Sequence, residues 1–341
     1  MIFNKDAKMQ LAGMDIGVTS VKLVKLARSG QGYSVEGAGY AEIANGSGKA
    51  DDEAVISAIN ECFEKAGCDS RSVVCGLRGE DVIVRNFTFP PIPKEDIYAA
   101  VLLEAEQISP MDIHKSTVDF QVISSAGRQP EDRNVKGILV IAANEAIRKK
   151  VELVSQAGCK CVFMDVNALA VLNCFTECEN PQEAGSTAII DMGHTFTTIS
   201  ILASDGIPLV RGFPIAGSYI AKKFGERKEG ESSVDLNDNE IDIEDSLDKT
   251  YRKLLGAIDE TLLYYTTQHQ QSATIDKVLF CGGLSLSKEL VSVLKNHLAA
   301  KVVIWNPFDY MSYQSDIPGA ELLSSKGSIL AAAAGLAMRT V

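Results

Sequence analysis

The sequence predicts a mixed α/β protein whose two lobes repeat one unit and close on a shared ligand. Three observations carry that expectation. The frame Asp-x-Gly-x-Thr occurs twice, as DIGVTSVK at residues 15–22 and as DMGHTFTTI at residues 191–199. Each copy runs into a β-like stretch and meets a further turn glycine fifteen residues after its aspartate, Gly30 and Gly206. The chain is also 341 residues long, more than one compact core usually holds, so two domains or lobes are expected.

A polar Asp-x-Gly-x-Thr between apolar strands reads as a tight hairpin with a carboxylate at its mouth. Glycine allows torsions and close approaches there that larger residues resist. Exposed N–H groups, with the hydroxyls of Thr19, Ser20 and Thr195, can hold phosphate oxygens, while Asp15 and Asp191 can face a bound cation. One copy alone is ordinary turn chemistry. Two copies with matched downstream glycines point to a duplicated lobe.

The remaining elements follow in order. Residues 11–14, 21–27 and 33–43 read as three strands joined by turns. Val55, Ile56, Ile59 and Phe63 recur at helical spacing over 52–66, ending at Gly67. Short strands are expected at 73–77 and 82–89, the second closed by Pro90, Pro91 and Pro93. A β-meander followed by helix and strand suggests a mixed α/β lobe. A compact module then interrupts it, with a helix at 97–107, a strand at 117–123, a polar hairpin loop at 127–134, a strand at 138–143 and a helix at 145–157. An apolar helix at 168–175 should link the lobes, and the second hairpin unit begins at Thr187. Residues 226–246 are acidic and polar, and read either as a surface loop or as a docking tail for a basic partner. A long helix at 247–271 follows, with Tyr251, Leu254, Leu255, Ile258, Leu262 and Tyr265 on one face. The expected division is a first lobe at 1–89, an inserted subdomain at 90–160, a lobe-linking region at 161–186, a second lobe at 187–320 and a C-terminal helix at 321–341 returning to the first lobe.

Composition narrows the function classes. The chain is 46% hydrophobic and 23% charged, ordinary for a folded soluble protein. A net charge of −12 argues against a nucleic-acid binder, which needs clustered Lys and Arg for phosphate contacts. A nucleotide needs only a small local site and stays open. No apolar run approaches a membrane span, no N-terminal signal-peptide core is recognisable, and the stretch at 329–338 reads as a packed Ala-rich helix, so a cytoplasmic protein is expected. The eight cysteines lie among apolar neighbours without CxxC knuckles and read as small buried hydrophobes in a reducing compartment. No Ser–His–Asp set, Walker loop or zinc spacing occurs. His114, His269 and His297 are isolated, and Trp305 reads as a packing residue.

A third motif, VLFCGGLSLSKEL at 278–290, places a buried strand before Gly282-Gly283 and a helix from about Ser287. Paired glycines clear side chains where a ring or sugar could lie on the backbone, and a helix N-terminus behind them supplies N–H groups and partial positive charge.

The three motifs, in this order, resemble the phosphate-1, phosphate-2 and adenosine motifs of the actin-like ATPase superfamily. Within it the chain is similar to the PilM family of type IV pilus assembly. LLEAEQISPMDIHKSTVDFQV (102–122) resembles that family's inserted subdomain, MDVNALAVL (164–172) its lobe-linking helix, and NPFDYM (306–311) with AAGLAMR (333–339) its C-terminal signature. The resemblance implies a two-lobed actin-like, duplicated ribonuclease-H-like fold with a small inserted subdomain in the first lobe. It implies ATP with Mg2+ in the cleft. It implies as partner the N-terminal tail of a PilN-like inner-membrane protein within the pilus inner-membrane assembly complex. Self-association is open, and neither nucleic-acid binding nor membrane insertion is expected.

Carried across residue by residue, the first phosphate loop would comprise Asp15, Gly17, Thr19, Ser20 and Lys22, and the second Asp191, Gly193, His194 and Thr195. Gly282, Gly283 and Leu284 would line the adenosine side. Gly217 in IAGSYI matches a cleft-closing glycine and reads equally as a turn glycine before a helix. Asp15 and Asp191 would hold the cation. Three departures bear on activity. His194 replaces a small or hydroxyl residue and could touch phosphate or block it. Leu284 and Lys288 interrupt the small residues of the adenosine motif. Asn167 stands where the family commonly has Glu, and an amide cannot act as general base, so any ATPase activity is expected to be weak. A nucleotide-dependent scaffold, an ATPase or small-molecule kinase, and an interaction protein with a vestigial cleft remain open, as does the type II secretion counterpart of the same architecture.

Overall fold

The computed structural model describes residues 11–30, 32–44, 51–123, 134–179, 186–202, 206–221, 240–268 and 274–339. Its two five-stranded sheets share one topology. In the first, β1 (Ala12–Ile16), β2 (Ser20–Ser29) and β3 (Gly32–Glu42) form an antiparallel meander. β4 (Ser72–Leu77) and β8 (Lys160–Val166) then add in parallel on the other side of β1, giving the order β3-β2-β1-β4-β8. In the second, β9 (Ser186–Met192), β10 (Thr197–Leu202) and β11 (Pro208–Phe213) make the meander. β12 (Ile275–Cys281) and β13 (Lys301–Ile304) add in parallel, giving β11-β10-β9-β12-β13. The duplication read from the hairpins is therefore a duplication of whole sheets. β1 is buried at every position, as expected of a central strand covered on both faces.

α1 (Asp52–Lys65) opens on Asp51, whose carboxylate accepts from the Glu53 N–H at 3.4 Å, an N-cap that satisfies an otherwise orphaned donor. Its Val55, Ala58, Ile59, Cys62 and Phe63 are buried at the spacing of one helix face, against the first sheet.

The inserted module has its own sheet, ordered β5-β7-β6 and fully antiparallel, from β5 (Val82–Phe89), β6 (Ser116–Val122) and β7 (Val135–Ala143). α2 (Lys94–Ile108) covers it, packing Ile97, Val101 and Ala105 on Phe87, Leu139 and Ile141. β5, which precedes the expected boundary at residue 89, pairs with β7. α3 (Asn144–Gln156) packs Leu153 and Val154 in the first-lobe core beside Val55 and Ile59. The polar loop expected at 127–134 lies outside the described residues except for Asn134.

Between the sheets lie α4 (Asn167–Cys178) and α8 (Ala331–Ala337). One apolar cluster runs from Val24 and Val35 of the first sheet through Val171 and Phe175 of α4 to Ile189 and Leu279 of the second. Trp305, Ile329 and Leu330 belong to it too. α8 is wedged so tightly that a Cβ on Gly13 of β1 would collide with the Ala333 carbonyl, and one on Gly335 with the Ala170 carbonyl.

α5 (Glu240–Gln268) begins at Glu240, so part of the segment read as an acidic loop is helical; residues 226–239 lie outside the described residues. Tyr251, Leu254, Leu255, Ile258 and Tyr265 are buried in the second-lobe core with Leu262 packed against them, the face expected from sequence. α6 (Lys288–His297) is capped by Ser287, whose hydroxyl accepts from Leu290 N–H. α7 (Ala320–Lys326) leads into α8. No described helix is long and apolar enough to cross a membrane.

Candidate functional site

The two Asp-x-Gly turns close with the same hydrogen bond. Gly17 N–H donates to the Ser20 carbonyl at 3.0 Å, and Gly193 N–H donates to the Phe196 carbonyl at 3.0 Å. Asp15 lies opposite Lys22 in the β1–β2 register, and Asp191 opposite Thr198 in β9–β10. β1 with β4, and β9 with β12, run parallel, so these aspartates sit near carboxyl ends of central strands. That is where open α/β sheets bind ligands.

Asp15, Gly17, Thr19, Ser20, Lys22, Asp191, Gly193, His194, Gly282 and Gly283 line one common cleft, with Val18, Arg78, Ile329 and Ala332 completing it. Thr195 is exposed and lies outside the lining. Gly217 and Leu284 also fall outside it. Gly217 opens a helical turn beneath the second hairpin, its N–H 3.4 Å from the Gly193 carbonyl, and Leu284 packs beside it. Gly282 holds a φ of 85°, and an added Cβ would collide with Asp191 Oδ1; only glycine meets both demands. Ser285 hydroxyl donates to the Gly282 carbonyl at 2.7 Å and contacts Ser328 at 2.7 Å, tying this turn to the C-terminal segment.

Charge is concentrated on the cleft floor. Asp15, 2% exposed, accepts a 2.8 Å hydrogen bond from Asn167 Nδ2, with Lys22 Nζ at 3.7 Å and Arg78 Nη1 at 3.8 Å. Lys22 Nζ donates to Ser20 Oγ at 2.8 Å. Arg78 Nη2 donates to Asp191 Oδ2 at 3.2 Å. Lys150 reaches under the same strands, donating to the Gly76 carbonyl at 2.7 Å. Burial would raise the Asp15 carboxyl, but Arg78, Lys22, Lys150 and the Asn167 hydrogen bond outweigh it and hold it well below the usual carboxylate range. Asp191 goes the other way: burial raises it, Arg78 offsets only part of that, and the charge of Asp15 adds to the rise. Burial lowers both Lys22 and Lys150.

Arg78 is the residue that the sequence reading missed. It follows β4 directly, and its guanidinium lies between the two hairpins. A Cβ on Gly17 would stand 3.7 Å, and one on Gly193 3.4 Å, from Nη1. The signal available was its position just past the carboxyl end of a parallel strand next to β1. Asn167, noted only as a departure, is 2% exposed and serves as the buried support of Asp15.

The glycine-lined hairpins suit phosphate oxygens, but the free volume left among them is about 40 Å3. That is far below the ~300 Å3 or more of a small-molecule pocket, so a nucleotide requires the lobes to part. A divalent cation between Asp15 and Asp191 does not fit the residues present, because Arg78 already bridges both carboxylates. Among the described residues, no group of three or more His, Cys, Asp or Glu is arranged to hold a metal. Arg78, Asn167 and Asp191 also wall a second cavity of about 400 Å3. It runs between the insert edge at Val82–Arg85 and the second lobe at Phe196, Val210 and Pro214.

Comparison with known proteins places this architecture. The profile of the family described as "Type IV pilus assembly protein PilM" matches residues 13–341. The solved PilM-PilN type IV pilus biogenesis complex contains a chain of the same fold, at 23% identity and a TM-score of 0.79, with 97% of this chain and 98% of that one covered. A glycerol dehydratase reactivase matches at 11% identity and TM-score 0.51, covering 96% and 99%. The ethanolamine utilization protein EutJ from Carboxydothermus hydrogenoformans matches at 14% and 0.49, covering 96% and 89%. The fold shared with the first two of these is the two-lobed α/β arrangement of duplicated sheets expected from the motifs.

Proposed function

The chain belongs to the type IV pilus assembly protein PilM family, and from that membership we propose that it is a cytoplasmic scaffold of pilus assembly. It docks the N-terminal tail of a PilN-like inner-membrane protein and is held at the membrane through that partner. The relative of the same fold was solved with PilN, which supports this partner chemistry here.

The cleft takes the polyphosphate of ATP between the two hairpins, with the base over Gly282 and Gly283. The observation that carries this is the paired turn, Gly17 to Ser20 and Gly193 to Phe196, facing one cleft from two sheets of equal topology. Because the cleft walls belong to different lobes, a ligand there binds open and closed arrangements unequally and can shift between them. The two carboxylates of the hairpins are both engaged: Asp15 is held by Asn167, Lys22 and Arg78, and Asp191 by Arg78. Binding with negligible turnover follows.

The test is retention of PilN-like N-terminal peptides on the purified protein, with and without ATP, alongside phosphate release. Peptide retention that changes with ATP, with negligible phosphate release, is the expected result. Failure to retain any such peptide sinks the scaffold reading, and brisk phosphate release would replace it with an enzyme.

A further inference from the structure

The cleft floor carries three cationic side chains, Lys22, Arg78 and Lys150, against two carboxylates, Asp15 and Asp191. Its charge balance is positive before any metal arrives. A hard dication gains little there, because Asp191 Oδ2 is hydrogen-bonded to the Arg78 guanidinium at 3.2 Å and Asp15 Oδ2 faces it at 3.8 Å, and Mg2+ dehydrates reluctantly. An arriving polyphosphate meets the opposite situation. The Arg78 side chain is 25% exposed and carries five N–H donors in a rigid fork suited to phosphate. The contacts to Asp15 and Asp191 engage Nη1 and Nη2 and leave donors over. Both hairpins keep a glycine beside Nη1, so neither turn screens the guanidinium from a ligand seated between them.

Resting on the reading of the cleft as a nucleotide site, we propose that Arg78 is its built-in cation. Anchored by Asp15 and Asp191 in the closed cleft, and kept by Asp15 on its own lobe when the lobes part, it binds the polyphosphate of a nucleoside triphosphate directly, so that binding needs no divalent metal. The aspartates of the duplicated motif then position an arginine instead of coordinating an ion. The site's specificity is for the free nucleotide anion.

The experiment is an ATP titration of the full-length protein by calorimetry, in EDTA and in millimolar Mg2+, on wild type, Arg78→Lys and Arg78→Ala. Wild type is expected to bind in EDTA within about threefold of its affinity in Mg2+. Arg78→Lys keeps the charge and should bind in EDTA with a loss of about tenfold or less. Arg78→Ala should lose more than about tenfold in EDTA and recover in Mg2+, since the freed carboxylates can then take the metal. A Mn2+ titration without nucleotide, followed by electron paramagnetic resonance, should show binding to Arg78→Ala and none to wild type. Wild-type binding that vanishes in EDTA and returns with Mg2+ overturns the assignment to Arg78 and leaves the nucleotide reading standing. Metal-independent binding that Arg78→Ala leaves untouched overturns it too. Absence of binding in every arm removes the nucleotide reading, and this proposal with it.

Discussion

Asn167 Nδ2 donates a 2.8 Å hydrogen bond to Oδ1 of Asp15, across 152 positions of sequence. It is the first residue of α4, and the contact ties that helix to the first hairpin. At the other end, Glu179 accepts from Lys277 Nζ at 2.7 Å and from Tyr310 hydroxyl at 3.1 Å, both in the second lobe. α4 is therefore pinned to the phosphate hairpin of one lobe and to the far side of the other.

Asn167→Ala leaves Asp15 Oδ1 without its neutral donor, and truncations of this kind cost about 1–3 kcal/mol. Asn167→Asp should cost more, about 3–5 kcal/mol, because it buries a carboxylate against Asp15 in place of the amide donor. Asn167 Oδ1 has no partner of its own, which moderates the alanine loss. Urea denaturation of the two variants checks the order; an aspartate variant as stable as the alanine one would contradict it.

Asp15→Asn should destabilise the protein at neutral pH by about 3 kcal/mol or more, leaving Lys22, Arg78 and Lys150 with one carboxylate among them. The sign of the pH dependence follows from the lowered carboxyl. Asp15 titrates in the fold below its ordinary value of 3.8, so its stabilising share is present above that pH and is lost as pH falls further. The gap between wild type and Asp15→Asn should hold from pH 7 to about 5, begin to narrow below about 4 and keep narrowing as pH falls further. Melting temperatures across that range test it, and a gap that widens in acid refutes the pairing.

Two glycine-to-alanine changes should move stability in opposite directions. At Gly13 an added methyl collides with the Ala333 carbonyl and should destabilise by about 1–3 kcal/mol through overpacking. At Gly256, an exposed interior position of α5 with open space around the added Cβ, it should stabilise by about 0.5–1 kcal/mol. Chemical denaturation of both variants reads the difference. A stabilising Gly13→Ala would mean that α8 is not wedged between β1 and α4.

Thiol labelling should sort the eight free cysteines. The Cys161 thiol, half-buried, is lowered by its hydrogen bond with Cys75, whereas burial pushes Cys62 up to about 12. The thiolate is the reactive form, so iodoacetamide at neutral pH should modify Cys161 well ahead of Cys62. A mass-spectrometric time course checks the order, and equal rates would count against the buried setting of Cys62.

Much of the frame was legible locally. The β1–β2–β3 meander, α1, the α5 face and the Ser287 start of α6 followed from alternation, helical spacing and caps. β8 and β11 went unread because their short half-buried runs acquire strand character only beside β4 and β10. β5 is legible as a strand, but its pairing with β7 is not, since alternation fixes a strand's faces and says nothing of its neighbour. Arg78 was passed over for a related reason. In LRGED it looks like a surface turn, and nothing within ten residues reveals two buried carboxylates on either side of it.

By itself the sequence determined the repeated Asp-x-Gly turn, the order of elements and the apolar faces that would pack. Torsional preference and hydrophobic periodicity act between near neighbours, and a chain read in order displays them. Only the tertiary structure decided what the two aspartates face. Coulomb interactions depend on distance through space, and folding brings residues 15, 78, 167 and 191 into one low-dielectric cleft, where a guanidinium holds the place that the motifs alone suggest for a metal ion.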